Sequence, residues 1–371
     1  MKQFIYLLSF FIFYSCSGSN STPEYRTATT ALRSDKDPRK AELVALKAIE
    51  LYPDNPLPAF FLASEIYGQP NSQLKNYDKA ATYFKMAIEM DNKDDDDDKL
   101  EAPKMIEEGI KLETIKQGVA YFSERLWVDV FNEGISHISA KNNEKASESF
   151  LLAASLLPND SRSYNALATI YFEMENYNEA VTYADKAIKI ENTDPNLWSI
   201  KGSIASISGD NLLAEELFSK AYDLSIKNNE SVNSKTAHMS RLFDILFKND
   251  KKEQALELSE KLIETDPSNI DLYNNAGAVY QNLLIDRQVD NAELFRNLSN
   301  LNESELEQLK IAYNDCIQLA QKARENFLMC SELELDEVES ELYYDESKKI
   351  KSIIKDIKRT IKKINKKLDE N

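Results

Sequence analysis

Glycine and proline are scarce in this chain: eight and ten among 371 residues. The shortage excludes a β-rich fold punctuated by turns and a low-complexity disordered chain, both of which use these residues heavily. Three cysteines and two histidines are present, and they form no cluster at metal-ligand spacing. Neither a phosphate-cradling glycine loop nor a G-x-S-x-G elbow occurs. No cofactor or metal is expected, and an enzyme built on this sequence would need a site without a local signature. Positive charge is also in the minority, with a formal net charge of −18. Without residues 1–15, which carry one lysine, the charge is −19; the segment Lys348–Asn371 holds +7, so the remaining body stands at −26. Such a body repels phosphates, which argues against nucleic acid and favours basic or neutral partners. The chain is 42% hydrophobic and 29% charged, the balance of a helical protein.

Periodicity supplies the detail. In PNLWSIKGSIASISGDNLLAEELFSKAYDL (195–224), Trp198, Gly202 and Ala205 share one helical face, and Ala214, Leu217, Phe218, Ala221 and Leu224 share another. Gly209-Asp210 punctuates between them. Gly202 and Ala214 carry almost no side chain, so two helix axes come close there while Trp198 and Phe218 fill the flanks. The stretch predicts an antiparallel helix hairpin.

The hairpin repeats. From Ser161, the preceding 34 residues place Tyr164, Leu167, Ala168, Tyr171, Ala180, Ala184 and Ala187 at matching offsets. A unit from Trp127, another 34 residues back, carries Gly134, Ala146, Phe150, Ala153 and Pro158. Decayed copies start at Thr236 (Leu242, Leu246, Ala255, Pro267) and Ile270 (Tyr273, Ala276, Gly277, Tyr280). Others start at Thr22 (Tyr25, Ala28, Leu32, Ala41, Ala48, Pro53) and Pro56 (Leu62, Ala63, Ile66, Ala80, Phe84, Ala87), the last with its turn lengthened by GQPNSQLKN. The pattern resembles the tetratricopeptide repeat (TPR) family: an aromatic, Leu-Gly or Leu-Ala, Tyr, Ala, Phe or Tyr, Ala and a closing Pro in 34 residues.

The resemblance implies an all-α fold, a right-handed α-solenoid of helix hairpins with a capping or coiled-coil helix at its C-terminal end. The expected organisation is a signal peptide at 1–15, a tether at 16–24 and N-terminal repeats at 25–91. An acidic linker and helical insert follow at 92–126, then a main array at 127–330 with an insert near 283–302, and an acidic segment with a basic helix at 331–371. The family scaffold implies protein or peptide ligands in a concave groove lined by the first helix of each repeat. Here those positions are Arg162, Asn165, Thr169, Phe172, Ser199, Ser203, Ser206, Arg241, Asp244, Phe247, Asn274, Asn275 and Gln281. This polar lining departs from the paired lysines and asparagines of a two-carboxylate clamp. Repeat scaffolds serve many functions, so the fold does not choose a partner.

MKQFIYLLSFFIFYSCSGSN opens with a lysine, an apolar run from Phe4 to Tyr14, and Ser15-Cys16. The run is too short to span a membrane and fits a secretory signal. A small residue directly before cysteine resembles the bacterial lipoprotein cleavage box, with Cys16 as the lipidated first residue of the mature chain. Phe13 and Tyr14 depart from the usual Leu-Ala or Leu-Ser, and an ordinary signal peptide with a coincidental cysteine stays open as the alternative. Lipidation would place the protein in the cell envelope, held stably by more than one acyl chain. Serine after the cysteine resembles proteins sent to the outer membrane.

The five aspartates Asp94–Asp98 lack the spacing, glycine and closing glutamate of a calcium loop and read as a solvated linker. Beyond Pro103 the insert is expected to be helical and to run into the repeat at Trp127. Leu294, Phe295 and Leu298 of the second insert are placed to cover one end of the groove, and Ser304 to Glu307 form a capping-box pattern. Ile350, Ile354, Ile357, Ile361, Ile364 and Leu368 form an a/d stripe suited to capping, self-association or, through the lysines opposite, anionic lipid. Cys316 and Cys330 on one helix would lie about 21 Å apart, beyond the roughly 7 Å reach of a disulfide, so both are expected as lone buried thiols. His137 takes an inward position, whereas His238 opens a helix without an evident partner. Three functional readings follow: an envelope-anchored scaffold similar in type to lipoproteins that assist barrel insertion or pilus biogenesis, a glycan-capturing lipoprotein, and an unrecognised enzyme. Glycan sites favour exposed aromatics, and both tryptophans, Trp127 and Trp198, fall at core offsets.

Overall fold

Helices begin where the sequence supplies an oxygen for the orphan N–H groups of a first turn. Thr22, Asp37, Asn55 and Asp194 each accept such a bond, and each is followed by a proline at the first helical position. Four of the scarce prolines thus start helices instead of breaking them. The computed structural model describes residues 21–91, 99–105 and 111–370. The expected signal peptide, Cys16 and Asp94–Asp98 lie outside the described residues.

Two units divide the chain, residues 1–191 and 192–371. In the first, α1 (Pro23–Arg33) pairs with α2 (Pro38–Leu51), and α3 (Pro56–Phe61), continued by a π-helical segment (Leu62–Tyr67), pairs with α4 (Tyr77–Asp91). Further on, α5 (Ile115–Ser139) pairs with α6 (Asn143–Leu156), and α7 (Ser161–Glu173) with α8 (Tyr177–Ile190). Between α4 and α5 the chain forms an antiparallel ribbon, β1 (Lys99–Met105) and β2 (Lys111–Thr114). The helix expected beyond Pro103 is therefore corrected: it starts only at Ile115, where Thr114 and Gln117 form a capping box, and from there it runs through Trp127. Pro103 falls in the irregular stretch of the ribbon between Lys99 and Lys104, where its missing N–H leaves the ladder one donor short.

The second unit contains α9 (Pro195–Ile207), α10 (Asn211–Lys227), α11 (Val232–Lys248) and α12 (Lys252–Thr265). Three long helices complete it: α13 (Ile270–Arg296), α14 (Glu303–Leu333) and α15 (Glu337–Glu370). Residues near 283–296, expected to interrupt the array, instead prolong α13 without a break. Phe295 meets Tyr313 of α14 edge-on, 5.9 Å between centroids, and Leu298 packs in the same cluster. Leu294 is exposed. These residues brace α14 and do not cover a groove end. The cap of α14 is Asn302 paired with Glu305, two residues ahead of the expected Ser304.

The turn inside the hairpin is also periodic. Lys141, Glu175 and Gly209, at 34-residue intervals, have φ of 56°, 59° and 84°. Only one of these left-handed positions is glycine; the other two accept a strain of roughly 1–2 kcal/mol, which the packed hairpin tolerates. This is how repeated tight turns coexist with so little glycine.

The reason for small residues in the first helix is now visible. A Cβ on Gly134 would lie 2.6 Å from the Phe150 ring, and one on Gly202 would lie 2.9 Å from the Phe218 ring. In the hairpin between them the same positions hold Ala168 and Ala184, both fully buried. The ring sits directly on the glycine, where the sequence pattern had it flanking an Ala–Gly contact. In the last hairpin the sequence around position 293 offers no such ring, and Phe327 of α14 packs on Gly277 in its place.

Ile350, Ile357 and Ile364 are buried against α14, with Ile354, Ile361 and Leu368 half-buried beside them. The stripe thus closes the unit from within the chain, and the acidic run before it forms the first turns of the same helix, with Lys348–Asp345 and Lys349–Glu346 paired along it. Cys316 and Cys330 share α14 as free buried thiols. Burial pushes the Cys330 thiol up to about 12.

Candidate partner-binding groove

Facing first helices, α9 and α11, enclose a cleft of about 260 Å³ in the second unit. Its walls carry Ser203, Ser206, Arg241, Asp244 and Lys248, and its floor carries Phe218 and Ile245, with Ile207 exposed at the edge. Desolvation by neighbouring atoms raises the Asp244 carboxyl above its ordinary value, although the residue as a whole is exposed. An apolar floor with hydroxyls, one carboxylate and two cations at its rim can hold an extended segment through one apolar side chain and several hydrogen bonds.

Four residues expected in the groove, Ser203, Ser206, Arg241 and Asp244, meet in this cleft. Others do not. Ser199 is a correction: it is 3% exposed, and its Oγ lies 2.8 Å from His238 Nδ1 in the core. Phe247 is a second correction, because it stacks on Phe243 and packs with the buried cluster instead of presenting its face. Asn274, Asn275 and Gln281 are half-buried on α13 and do not line this cleft. In the first unit, Arg162 folds onto Asp160, with Nη2 at 2.6 Å from Oδ2, and covers the Trp127 ring at 4.0 Å. Thr169 is exposed and donates to the Asn165 carbonyl, and Phe172 leans on Tyr177. The floor residues and Lys248 escaped sequence reasoning. Their signal is slight: Phe218 lies on the second helix α10, and Ile245 and Lys248 lie at the end of α11, all outside the family's usual lining positions.

The histidine roles are reversed from expectation. His137 is partly exposed, with Nε2 3.7 Å from Glu133, whereas His238 is 2% exposed. His238 Nε2 lies 3.7 Å from Glu230, whose other contact is the Ser234 hydroxyl. The Ser199–His238–Glu230 line has the residue types of a nucleophilic relay, yet Ser199 and His238 are both buried and the cleft stops at Ser203. Their role is to tie α9 to α11. No group of three or more acidic, cysteine or histidine side chains able to hold a metal occurs among the described residues.

Burial lowers His238 below the usual histidine value, with Arg241 adding to the effect and Glu230 and Asp194 opposing it. A base with a depressed folded pKa is neutral in the native state, so its contribution is complete above about pH 6.5 and is lost as pH falls below that value. Asp194, raised chiefly by its own desolvation, acts in the opposite direction at still lower pH. The melting temperature is expected to fall between pH 7.5 and 5.5, and His238→Asn to flatten that slope. A slope of equal steepness in the variant would assign the acid sensitivity elsewhere.

The family model described as tetratricopeptide repeat matches residues 65–94 and 161–194. This chain carries tetratricopeptide repeats. Solved structures give the same kind of likeness. YrrB, a TPR protein with an unusual peptide-binding site, is 17% identical, covers 58% of this chain and 90% of its own, and superposes with a TM-score of 0.40. MamA is 16% identical over 58% of this chain and 97% of its own, at 0.39. The pilF protein of Pseudomonas aeruginosa is 14% identical over 60% and 99%, at 0.38. At these scores none of the three bears on what this chain binds. No curated protein sequence matches the chain. No helix among the described residues is long and apolar enough to cross a membrane.

Proposed function

We propose that this TPR chain is a non-enzymatic scaffold or assembly factor, held in the bacterial envelope through a lipidated Cys16 at the outer membrane, that grips segments of partner proteins along its first helices. The observation that carries the binding half is the α9–α11 cleft, where Ser203, Ser206, Arg241 and Asp244 surround the Phe218 and Ile245 floor. Support for the anchor is the apolar run and the Ser15-Cys16 pair alone. A glycan-binding role would call on open aromatic faces. Here Trp127 is buried, stacked on Phe131 and donating to Ser163, while Trp198 is half-buried with Lys201 and Lys220 over its ring.

The test places a photo-crosslinking residue at Ser206 in intact cells and identifies what is captured by mass spectrometry. One recurring protein neighbour is expected, and Arg241→Ala with Asp244→Ala should reduce its yield about tenfold, the loss typical of truncating central contacts. Retention of oligosaccharide alone in a glycan screen, with no protein neighbour, would transfer the reading to nutrient capture. Replacement of Cys16 by serine is expected to release the protein from the membrane fraction.

A further inference from the structure

A second cavity, of about 470 Å³, lies in the second unit among α12, α13 and α14. Glu260, Ile263 and Glu264 come from α12, Tyr273, Ala276 and Tyr280 from α13, and Lys322, Glu325, Asn326 and Met329 from α14. On each helix these residues recur at steps of three and four, so three helix faces converge on one space. Along α13 they occupy a different face from Asn274, Asn275 and Gln281. The cavity is therefore separate from any groove formed by the first helices.

Its chemistry is specific. Ile263, Ala276 and Met329 supply an aliphatic wall, the two tyrosines supply rings, and three glutamates face one lysine. The buried Tyr280 hydroxyl donates to Glu260 Oε1 at 2.5 Å. Desolvation, Glu260 and Glu325 together raise that phenol far above its ordinary value, so it stays protonated and keeps its hydrogen bond to Glu260. A cation on a flexible alkyl stem matches this arrangement: methylenes lie along aliphatic and aromatic walls while the head reaches carboxylates.

We propose that this cavity is a second docking site, which seats a lysine or arginine side chain from a basic segment of a partner protein. It rests on the reading that the chain holds polypeptides, but uses another face and other residues. The strongly acidic body steers such a segment towards the site, and the aliphatic and aromatic walls favour a long stem over a bare ion.

The full chain with Cys16→Ser is titrated with a dansyl-labelled dodecapeptide of alternating lysine and serine, read by anisotropy. Saturable binding is expected. Glu260→Gln, Glu264→Gln and Glu325→Gln combined should weaken it at least about tenfold, as loss of several charge contacts at one site does. Removing three charges of the first unit instead, with Glu144→Gln, Glu148→Gln and Glu179→Gln, should change it less than about twofold. Ile263→Ala with Met329→Ala should also weaken binding, an effect that bulk charge does not produce. Equal losses in the two glutamine triples, or spermidine binding as tightly as the peptide, overturn the proposal. If the first glutamine triple leaves peptide binding intact while Arg241→Ala still loses its envelope neighbour, the cavity assignment alone falls.

Discussion

Gly202→Leu is expected to lower the melting temperature of the protein by roughly 5–10 °C. The Cβ alone would stand 2.9 Å from Cδ1 and Cε1 of Phe218, and the rest of a leucine has to enter the same space. Phe218 cannot yield cheaply, because it is 5% exposed and sits between Ala205, Ala214 and the α11 residues Leu242 and Phe243 in one packed cluster. With a buried ring already at that distance from the Cβ, the overpacking falls at the upper end, about 3 kcal/mol or more, against which the helix gains about 0.5–1 kcal/mol from replacing glycine, leaving a loss of about 2–2.5 kcal/mol or more. A unit of this size loses roughly 2–4 °C per kcal/mol. The companion experiment removes the ring. Phe218→Ala alone should cost about 3–5 kcal/mol, but combined with Gly202→Leu it should cost well under the sum, because the leucine occupies the vacated volume. Thermal melts followed by circular dichroism decide the matter. Simple additivity, or an unchanged melt for Gly202→Leu, would show that these two residues do not touch.

The same pair shows what a reader of the sequence can and cannot see. Gly134, Ala168 and Gly202 recur at 34-residue steps, as do Phe150, Ala184 and Phe218, so the hairpins between Trp127 and Lys227 were legible from spacing. Spacing does not distinguish a ring that flanks a glycine from one that lies on it, since both satisfy the same period. It also fails where the period stops. After Gly277 the sequence contains neither glycine nor proline to its end, and that absence was the available sign that α13, α14 and α15 run long. The decayed repeat drew attention instead to a supposed interruption near residue 283. Position on a helix misled in a similar way for His137 and His238. The inward tyrosine-like offset belongs to His137, yet the bond to Ser199 draws His238 into the core. Contacts between residues 39 apart are invisible to a local pattern. The cleft itself was half legible: polar first-helix positions identified its walls, while its apolar floor comes from the second helix and from the far end of α11.

Ile357→Asp should undock α15 and expose the thiol of Cys316. Ile357 is 2% exposed at the centre of the stripe, between the fully buried Ile350 and Ile364. Losing its burial forfeits about 1.5–3 kcal/mol, and forcing a carboxylate into the same apolar seam costs several kcal/mol more unless the helix leaves. Leaving is the cheaper course because α15 is joined to α14 by a short turn and, among the described residues, packs chiefly on α14. Once it swings away, Leu306, Leu309, Tyr313 and Cys316 of α14 lose the cover of the isoleucines with which they cluster. In the native state burial suppresses Cys316 ionisation, and only the thiolate reacts readily with a maleimide. In the Cys16→Ser background, labelling of Cys316 by a maleimide is therefore expected to accelerate by at least about tenfold in Ile357→Asp, accompanied by concentration-dependent association through the uncovered α14 face. Lys358→Asp, on the exposed side of the same turn, should leave labelling slow, and Ile357→Leu should do so as well. Slow labelling in Ile357→Asp, with the melt unchanged, would mean that the isoleucine stripe contributes little to closing the array.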